Sequence, residues 1–389
     1  MTSSAAPPAR LADWRTAPHS RWAFGHVDAL MPTMAIANDP NHVLPLPAAA
    51  QALDLRGLRV TVPGGEEPLG MEAFLRRTHT DALVVLSAGE VVHAWQDDGI
   101  DIASPRILMS ASKSIVGLLF GVLAGRGLID PQTPVTYHLP ELEGSGYGGA
   151  TLRHLLDMQA DPAFDADDLR RYAQATGWEP APEAAAVGEG LHRFFTGLPR
   201  REGRHGGAFR YLSANTDLMG WVIERVTGEP LARSLGELLW APLGAAAAAA
   251  ITLDRAGAPR ATGGICATAH DLARLGQLLV AGGLGPNGPV VPAEWIADIG
   301  LSGDREAWRQ GEFAAGFGTL PMHYRSGWYV IDGEPRTLFA MGIHGQHLFV
   351  DLEHRLVMAK LSSHPLALDP AVTGLTLRAW YALRRLLAR

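Results

Sequence analysis

The sequence predicts an α/β protein in which an antiparallel sheet, assembled from both ends of the chain and flanked by helices, is interrupted by an inserted all-helical region. Three observations predict it. Asp81 to Trp95 is two β-rich runs around Ser87-Ala88-Gly89-Glu90, a hairpin pattern. From Ser110 to about Gln277 apolar residues recur with helical spacing. Beyond Trp328 the chain returns to short β-rich runs separated by turn residues, which reads as an antiparallel meander.

In chain order, prolines at 7, 8, 18, 32, 40, 45 and 47 break any long helix, so the first 50 residues read as irregular. Residues 1–30 are expected to form an arm that wraps the body. From Leu58 the stretch LRVTVPG alternates and reads, with the hairpin after it, as the start of the sheet. Ile115, Leu118, Leu119, Val122 and Leu123 then mark one stripe of a helix, and LRHLLDM, TDLMGWVIERVTG and ATAHDLARLGQLL mark later ones. Gly228 stands where a C-cap belongs, and Thr268 with Asp271 resembles a capping box. The closing runs are WYVID, RTLFAMG, QHLFVDL and RLVMAKLSS. The expected units are therefore the arm, a discontinuous α/β domain over 31–165 and 281–389, and a helical domain over 166–280, with ligands favouring the cleft between them.

Composition removes several classes of function. The 389 residues carry a formal charge of -7, and Lys113 and Lys360 are the only lysines, so no Lys-rich surface for nucleic acid or anionic lipid is available. Apolar residues make up 47% and charged residues 19%, enough for a large packed core. The apolar run Ile107–Gly125 is interrupted by Ser110, Ser112, Lys113 and Ser114, which disqualifies it as a membrane span. A single Cys266 excludes an internal disulfide and a multi-cysteine zinc site and fits a reducing compartment, and the N-terminal residues lack a secretory pattern, so a cytoplasmic location is expected.

Lys113 follows Ser110 by three residues in LMSASKSIVGLLFG, and i and i+3 share a helix face, so hydroxyl and amine can meet. Serine is a weak nucleophile until a base takes its proton, and a desolvated lysine can be that base. The helix N-terminus also places the Ser110 N–H where an oxyanion would be stabilised. A chance S-x-x-K is the competing reading, but an unpaired ammonium inside an apolar run is costly and an ordinary surface lysine does not belong there. Tyr211, Ser213 and Asn215, two apart ahead of a helix, would share one side of an extended segment and line a cleft. The bland alternative is a core tyrosine followed by a helix cap. Gly342, His344, Gly345 and Gln346 sit in a strand-like setting where glycine permits close approach, although His344 alone reads as structural. Gly144, Gly146 and Gly149 satisfy a dinucleotide fingerprint but follow no buried strand. Asp161, Asp165, Asp167 and Asp168 lack the glycine and glutamate of a calcium loop and read as a solvated face. No metal or organic cofactor is expected.

Ser110-x-x-Lys113, Tyr211-x-Ser213-x-Asn215 and the Gly342–Gln346 segment, in that order, resemble the serine β-lactamase-like superfamily of penicillin-recognising enzymes and class C-type esterases. PHSRWAFGHV, TDALVVL, MSASKS, GLID, LLDMQ, YLSANTDLMGWVIERVTG, GGICATAHDLARLG, GIHGQHLFVD and KLSS narrow the likeness to the 6-aminohexanoate-dimer hydrolase family, over Pro18 to Ser363. The resemblance implies the β-lactamase-like fold, Ser110 as nucleophile, Lys113 as general base and Tyr211 as proton relay. It further implies an oxyanion hole from the N–H groups of Ser110 and Ile343, and Ser213 and Asn215 orienting the tyrosine and lysine, with Gly342 and His344 close behind.

Departures from the family pattern bear on substrate. Asp168 stands where the family has a substrate-gripping tyrosine, the loop to Trp178 is shorter, and Thr262 replaces a pocket asparagine. Ala340-Met341-Gly342 occupies the K-T-G position of true β-lactamases and lacks its cation. Asp168, Trp178 and Thr262 are thus the candidate substrate-binding positions. The expectation is a serine hydrolase acting on small-molecule esters or amides, with ester hydrolysis favoured and, by the resemblance, a homodimer. A non-catalytic ligand-binding member of the fold and a β-lactamase or D-Ala peptidase-like enzyme are the alternatives.

Overall fold

The computed structural model describes residues 9–50, 53, 55–62, 64, 67–180 and 190–387. Its main sheet has seven strands in the spatial order Met322–Arg325, Trp328–Ile331, Thr337–Gly342, Gln346–Asp351, Leu356–Ser362, Thr80–Ser87 and Glu90–Gln96, every neighbouring pair antiparallel. Val84 lies opposite Ala359, so the strand Leu356–Ser362 is where the C-terminal meander meets the N-terminal hairpin. The sheet is assembled from both ends of the chain, as the runs of β-formers indicate.

Both faces of this sheet are covered, which explains why its central strands read as continuous apolar runs. On one face Val84, Leu86, Val357 and Ala359 pack with Leu118 and Leu119 of the helix Ser112–Gly125 and Leu272 and Leu275 of the helix Ala269–Val280. On the other, Leu83, Val85, Met358 and Phe349 pack with Phe74 and with Trp380 of the C-terminal helix Pro370–Leu387. Alternate residues of one strand thus serve two cores.

The helix Ser112–Gly125 is buried from Ser112 to Leu123. It is tied to the sheet by hydrogen bonds from the Ser114 hydroxyl to the Gly327 carbonyl (2.6 Å) and from the Trp328 indole to the Ser114 carbonyl (3.2 Å). Gly228 ends the helix Ser213–Thr227 with φ 70°, the left-handed C-cap that glycine favours. Thr268 caps the helix Ala269–Val280, but Asp271 does not complete a box: its carboxylate accepts from the Ala246 and Ala247 N–H groups and pairs with Arg274.

Two expectations need correction. Among its described residues the stretch from Leu58 contributes no sheet strand, and Val60 forms an isolated bridge with Leu69. Residues 1–8 of the expected arm lie outside the described residues, and residues 9–50 are more ordered than their prolines suggest: His19–Ala23 is a short helix, and Thr33–Ile36 is the edge strand of a second sheet that continues through Ala249–Thr252, Ile265–Ala267 and Arg106–Ile107. The inserted region therefore carries strands beside its helices. Ladder pairing with a distant segment overrides a local breaker signal. Among the described residues no helix is long and apolar enough to cross a membrane.

Candidate active site

Ser110 lies in the 3-10 turn Met109–Ala111 that leads into the helix Ser112–Gly125. Met109 is held at φ 49°, a left-handed conformation that costs a non-glycine residue about 1–2 kcal/mol. Packing pins it there, because Met109 is buried in a cluster with Trp14, Phe24 and Trp178. The strained turn leaves Ser110 partly exposed while its neighbours are enclosed.

Lys113 is only 2% exposed. Its Nζ lies 3.1 Å from the Ser110 Oγ, 3.1 Å from the Thr262 carbonyl and 3.4 Å from the Ser213 Oγ. The Tyr211 ring covers it at 4.6 Å. No carboxylate reaches ion-pairing distance of this amine among the described residues. Burial, reinforced by the charge of Arg260, holds Lys113 well below the usual lysine range. An amine so placed holds its proton less tightly than an exposed lysine, so its neutral form can accept the one on Ser110.

Tyr211 is stacked on Phe313 at 5.0 Å, and its backbone N–H donates to Glu312 at 2.5 Å. Burial pushes its phenol up to about 12, with the side chains of Ser110 and Tyr329 acting in the opposite direction. Neither of those contacts reaches standard hydrogen-bond geometry. Tyr211 therefore stays a neutral donor at ordinary pH.

The strand Thr337–Gly342 delivers Ile343 to the same place. A Cβ on Gly342 would meet the Leu108 carbonyl oxygen at 2.4 Å and the Met109 Cβ at 3.0 Å, so only glycine lets the strand end close on the nucleophile turn. His344, at φ 62°, turns the chain away: its N–H donates to the Ala367 carbonyl (2.9 Å) and its ring pairs with the His364 carbonyl (2.8 Å). A cleft of about 570 Å³ opens beside Ile343, bounded by Trp14, Arg15, Glu179 and Leu366.

Residues 73–379 match the model of the family described as Beta-lactamase. This chain belongs to the beta-lactamase family. It is a serine hydrolase of that family, 35% identical over 380 residues to the 6-aminohexanoate-dimer hydrolase of Paenarthrobacter ureafaciens, covering 96% of this chain and 91% of that one. Among solved structures, a Bacillus anthracis protein provisionally named 6-aminohexanoate-dimer hydrolase superposes with a TM-score of 0.86 at 22% identity, over 98% of this chain and 99% of that one. A family VIII carboxylesterase shares the fold at a TM-score of 0.56 and 18% identity, over 79% and 96% of the two chains.

Other sequence-selected positions fare unequally in this beta-lactamase-family chain. Ser213 joins Lys113, but Asn215 does not. The helix begins at Ser213, so the two-residue alternation ends there and Asn215 turns inward, accepting from the Tyr147 hydroxyl (3.0 Å) and donating to the Ala160 carbonyl (3.0 Å). Asp168 is likewise committed elsewhere. It forms a reciprocal capping box with Asp165 and pairs with Arg201 at 2.5 Å. Trp178 remains beside the site, its ring against Trp14 at 5.2 Å and its indole donating to the Thr252 hydroxyl at 3.0 Å. Thr262 contributes its backbone carbonyl to Lys113, while its hydroxyl is buried without a hydrogen-bond partner. Sequence reasoning missed Trp14, Asp217, Arg260 and Phe313. Nothing in the local spacing of Trp14, Arg260 and Phe313 marks them, since they reach the site through tertiary packing; Asp217 follows Ser213 by one helical turn, a spacing that could have marked it.

Proposed function

We propose that this chain hydrolyses carboxylic esters through an acyl-enzyme on Ser110, with Lys113 as general base and Tyr211 as proton relay. The observation that carries the reading is a buried lysine, without a carboxylate partner, at 3.1 Å from a partly exposed serine hydroxyl. Neutral Lys113 takes the Ser110 proton as the oxygen attacks the ester carbonyl, and the N–H groups of Ser110 and Ile343 receive the oxyanion. Collapse breaks the carbonyl–alkoxide bond. The neutral Tyr211 phenol donates toward the leaving alkoxide, and the proton on Lys113 replaces it. Water then attacks the acyl carbon as Lys113 and Tyr211 take its proton, and that proton passes to the Ser110 Oγ as the Ser110–acyl bond breaks, releasing the acid and restoring the serine hydroxyl.

Esters are favoured over amides because an alkoxide leaves more readily than an amide nitrogen, and because Asp168 is held in a helix cap where the family pattern has a substrate-gripping tyrosine. Lack of a cation at Ala340-Met341-Gly342 argues against the β-lactam carboxylate as a ligand. The cleft beside Ile343 has volume enough for a small ester, although Ser110, Lys113 and Tyr211 do not line it. The test is labelling by a fluorophosphonate probe together with turnover of a short p-nitrophenyl ester. Both are expected in the wild type and lost in Ser110→Ala and Lys113→Ala. A wild type indistinguishable from these variants supports a non-catalytic member of the fold instead. A parallel assay of 6-aminohexanoate linear dimer is expected to give far lower turnover than the ester.

A further inference from the structure

We infer that the buried pair Asp217–Arg260 positions the general base: Asp217 holds the loop that presents the Thr262 carbonyl to Lys113, and the Arg260 cation opposes a second positive charge there. The inference rests on the proposed Ser110 and Lys113 chemistry and deepens it.

The geometry is a relay of contacts behind the lysine. Ser213 and Asp217 are one turn apart on the helix Ser213–Thr227, so one face supplies a hydroxyl to Lys113 and a carboxylate to the loop beyond it. Asp217 Oδ1 accepts from the Thr262 N–H at 2.9 Å, and Oδ2 accepts from the Tyr172 hydroxyl at 2.6 Å and from Arg260. The other side of the Thr262 residue, its carbonyl, receives Lys113. Arg260 lies between the Tyr172 and Trp178 rings, 5.1 Å from each, and its Nη1 also donates to the Tyr172 hydroxyl at 2.5 Å. Asp217, Arg260, Thr262 and Lys113 are all at most 7% exposed. In such surroundings charges interact strongly.

The groups that face Lys113 are few. Its own turn and helix offer Ser110, Ser112 and Ser114; the Tyr211 segment offers a phenol; the helix Ser213–Thr227 offers Ser213 and Asp217; and the loop to Gly263 offers Arg260. Leu155, Leu156 and Gly327 close the far side. Arg153 and Arg325, behind them, are both paired with Asp157 and Asp298. Arg15 acts on Arg260 rather than on the lysine. The charge nearest in effect to Lys113 is therefore Arg260, compensated by Asp217.

Removing either member should move the acidic limb of activity in opposite directions, which a loss of scaffold alone does not do. The experiment records kcat/KM for a p-nitrophenyl ester, and the rate of fluorophosphonate labelling, against pH. Asp217→Asn, Arg260→Gln and the double variant are compared with wild type, each checked for native near-ultraviolet circular dichroism. Arg260→Gln is expected to raise the limb by about one unit and Asp217→Asn to lower it. The double variant, which leaves no uncompensated buried ion and so is the one to read if a single variant does not fold, is expected to raise it by a smaller step. A limb that stays in place in Arg260→Gln or in the double variant, or that moves up in Asp217→Asn, overturns the assignment while leaving the Ser110 chemistry standing. Absence of Ser110-dependent labelling in the wild type removes both.

Discussion

Ser110 and Lys113 face each other across 3.1 Å, and the amine's other partners are the Ser213 hydroxyl and the Thr262 carbonyl, not a carboxylate. A lysine beside an acid would be stabilised as the ammonium. This one has hydroxyls, a carbonyl and an aromatic face beside it but no negative charge, so burial and the Arg260 cation weaken its hold on the proton.

Lys113→Arg keeps the charge and much of the volume, yet a guanidinium does not release its proton near neutral pH. Its kcat/KM for a p-nitrophenyl ester should fall about 10³-fold or more, close to Lys113→Ala and Ser110→Ala. Substantial activity in the arginine variant would remove Lys113 as the base.

Tyr211→Phe retains the stacking on Phe313 and deletes the proton donor. A general acid of this kind is worth about 10² to 10⁴ in rate, so kcat should drop by that order with little change in folding. Because the phenol is pushed up to about 12, the wild-type profile should show no alkaline limb from Tyr211 below about pH 10.

Asp168→Ala separates a structural carboxylate from a substrate-binding one. With the capping box and the Arg201 pair removed, urea denaturation should show a loss of about 1–3 kcal/mol. Ester KM should remain within about twofold of wild type. A raised KM with unchanged stability would return Asp168 to the substrate site.

Lys360 is the second buried lysine, bonded to the Ser362 hydroxyl at 2.5 Å and brought down to about 7 chiefly by burial. The unfolded chain keeps this proton up to about pH 10.4, so it binds more protons than the folded one and stability rises with pH from about 7 to about 10. It is lost again as the pH falls through that window. Lys360→Met should flatten this dependence by up to about 1.4 kcal/mol per pH unit, measured as the difference in unfolding free energy between the two proteins. Equal slopes would mean that Lys360 keeps its proton in the folded state. Lys113 contributes to both proteins and cancels in the comparison.

Gly342→Ala places a methyl 2.4 Å from the Leu108 carbonyl oxygen. The strand end carrying Ile343 must then retreat from the Ser110 turn, and misplacement on the ångström scale costs about tenfold to a hundredfold in kcat. Steady-state kinetics of a variant with unchanged circular dichroism checks this; unchanged kcat would dissociate Ile343 from the reaction.

By itself the sequence determined what short-range geometry can determine. The i, i+3 spacing of Ser110 and Lys113, the hairpin around Ala88-Gly89, the C-cap at Gly228 and the closing meander are all set by backbone periodicity and turn chemistry, which act over a few residues. Spacing alone also singled out Tyr211, and the family likeness implied its relay role and added Ile343 as a candidate. Tertiary structure alone decided the environment that makes these residues useful. Thr262 and Arg260 reach Lys113 from the far side of a long stretch of chain, and Trp14 packs beside the nucleophile turn from an arm that looked merely irregular. It also directs Asn215 to Tyr147 and Ala160, because the helix starts at Ser213, and engages the Asp168 oxygens in a cap and an arginine pair. The reason is physical: desolvation and buried charge pairing depend on which distant groups exclude water from a side chain, and no local spacing in the chain records that.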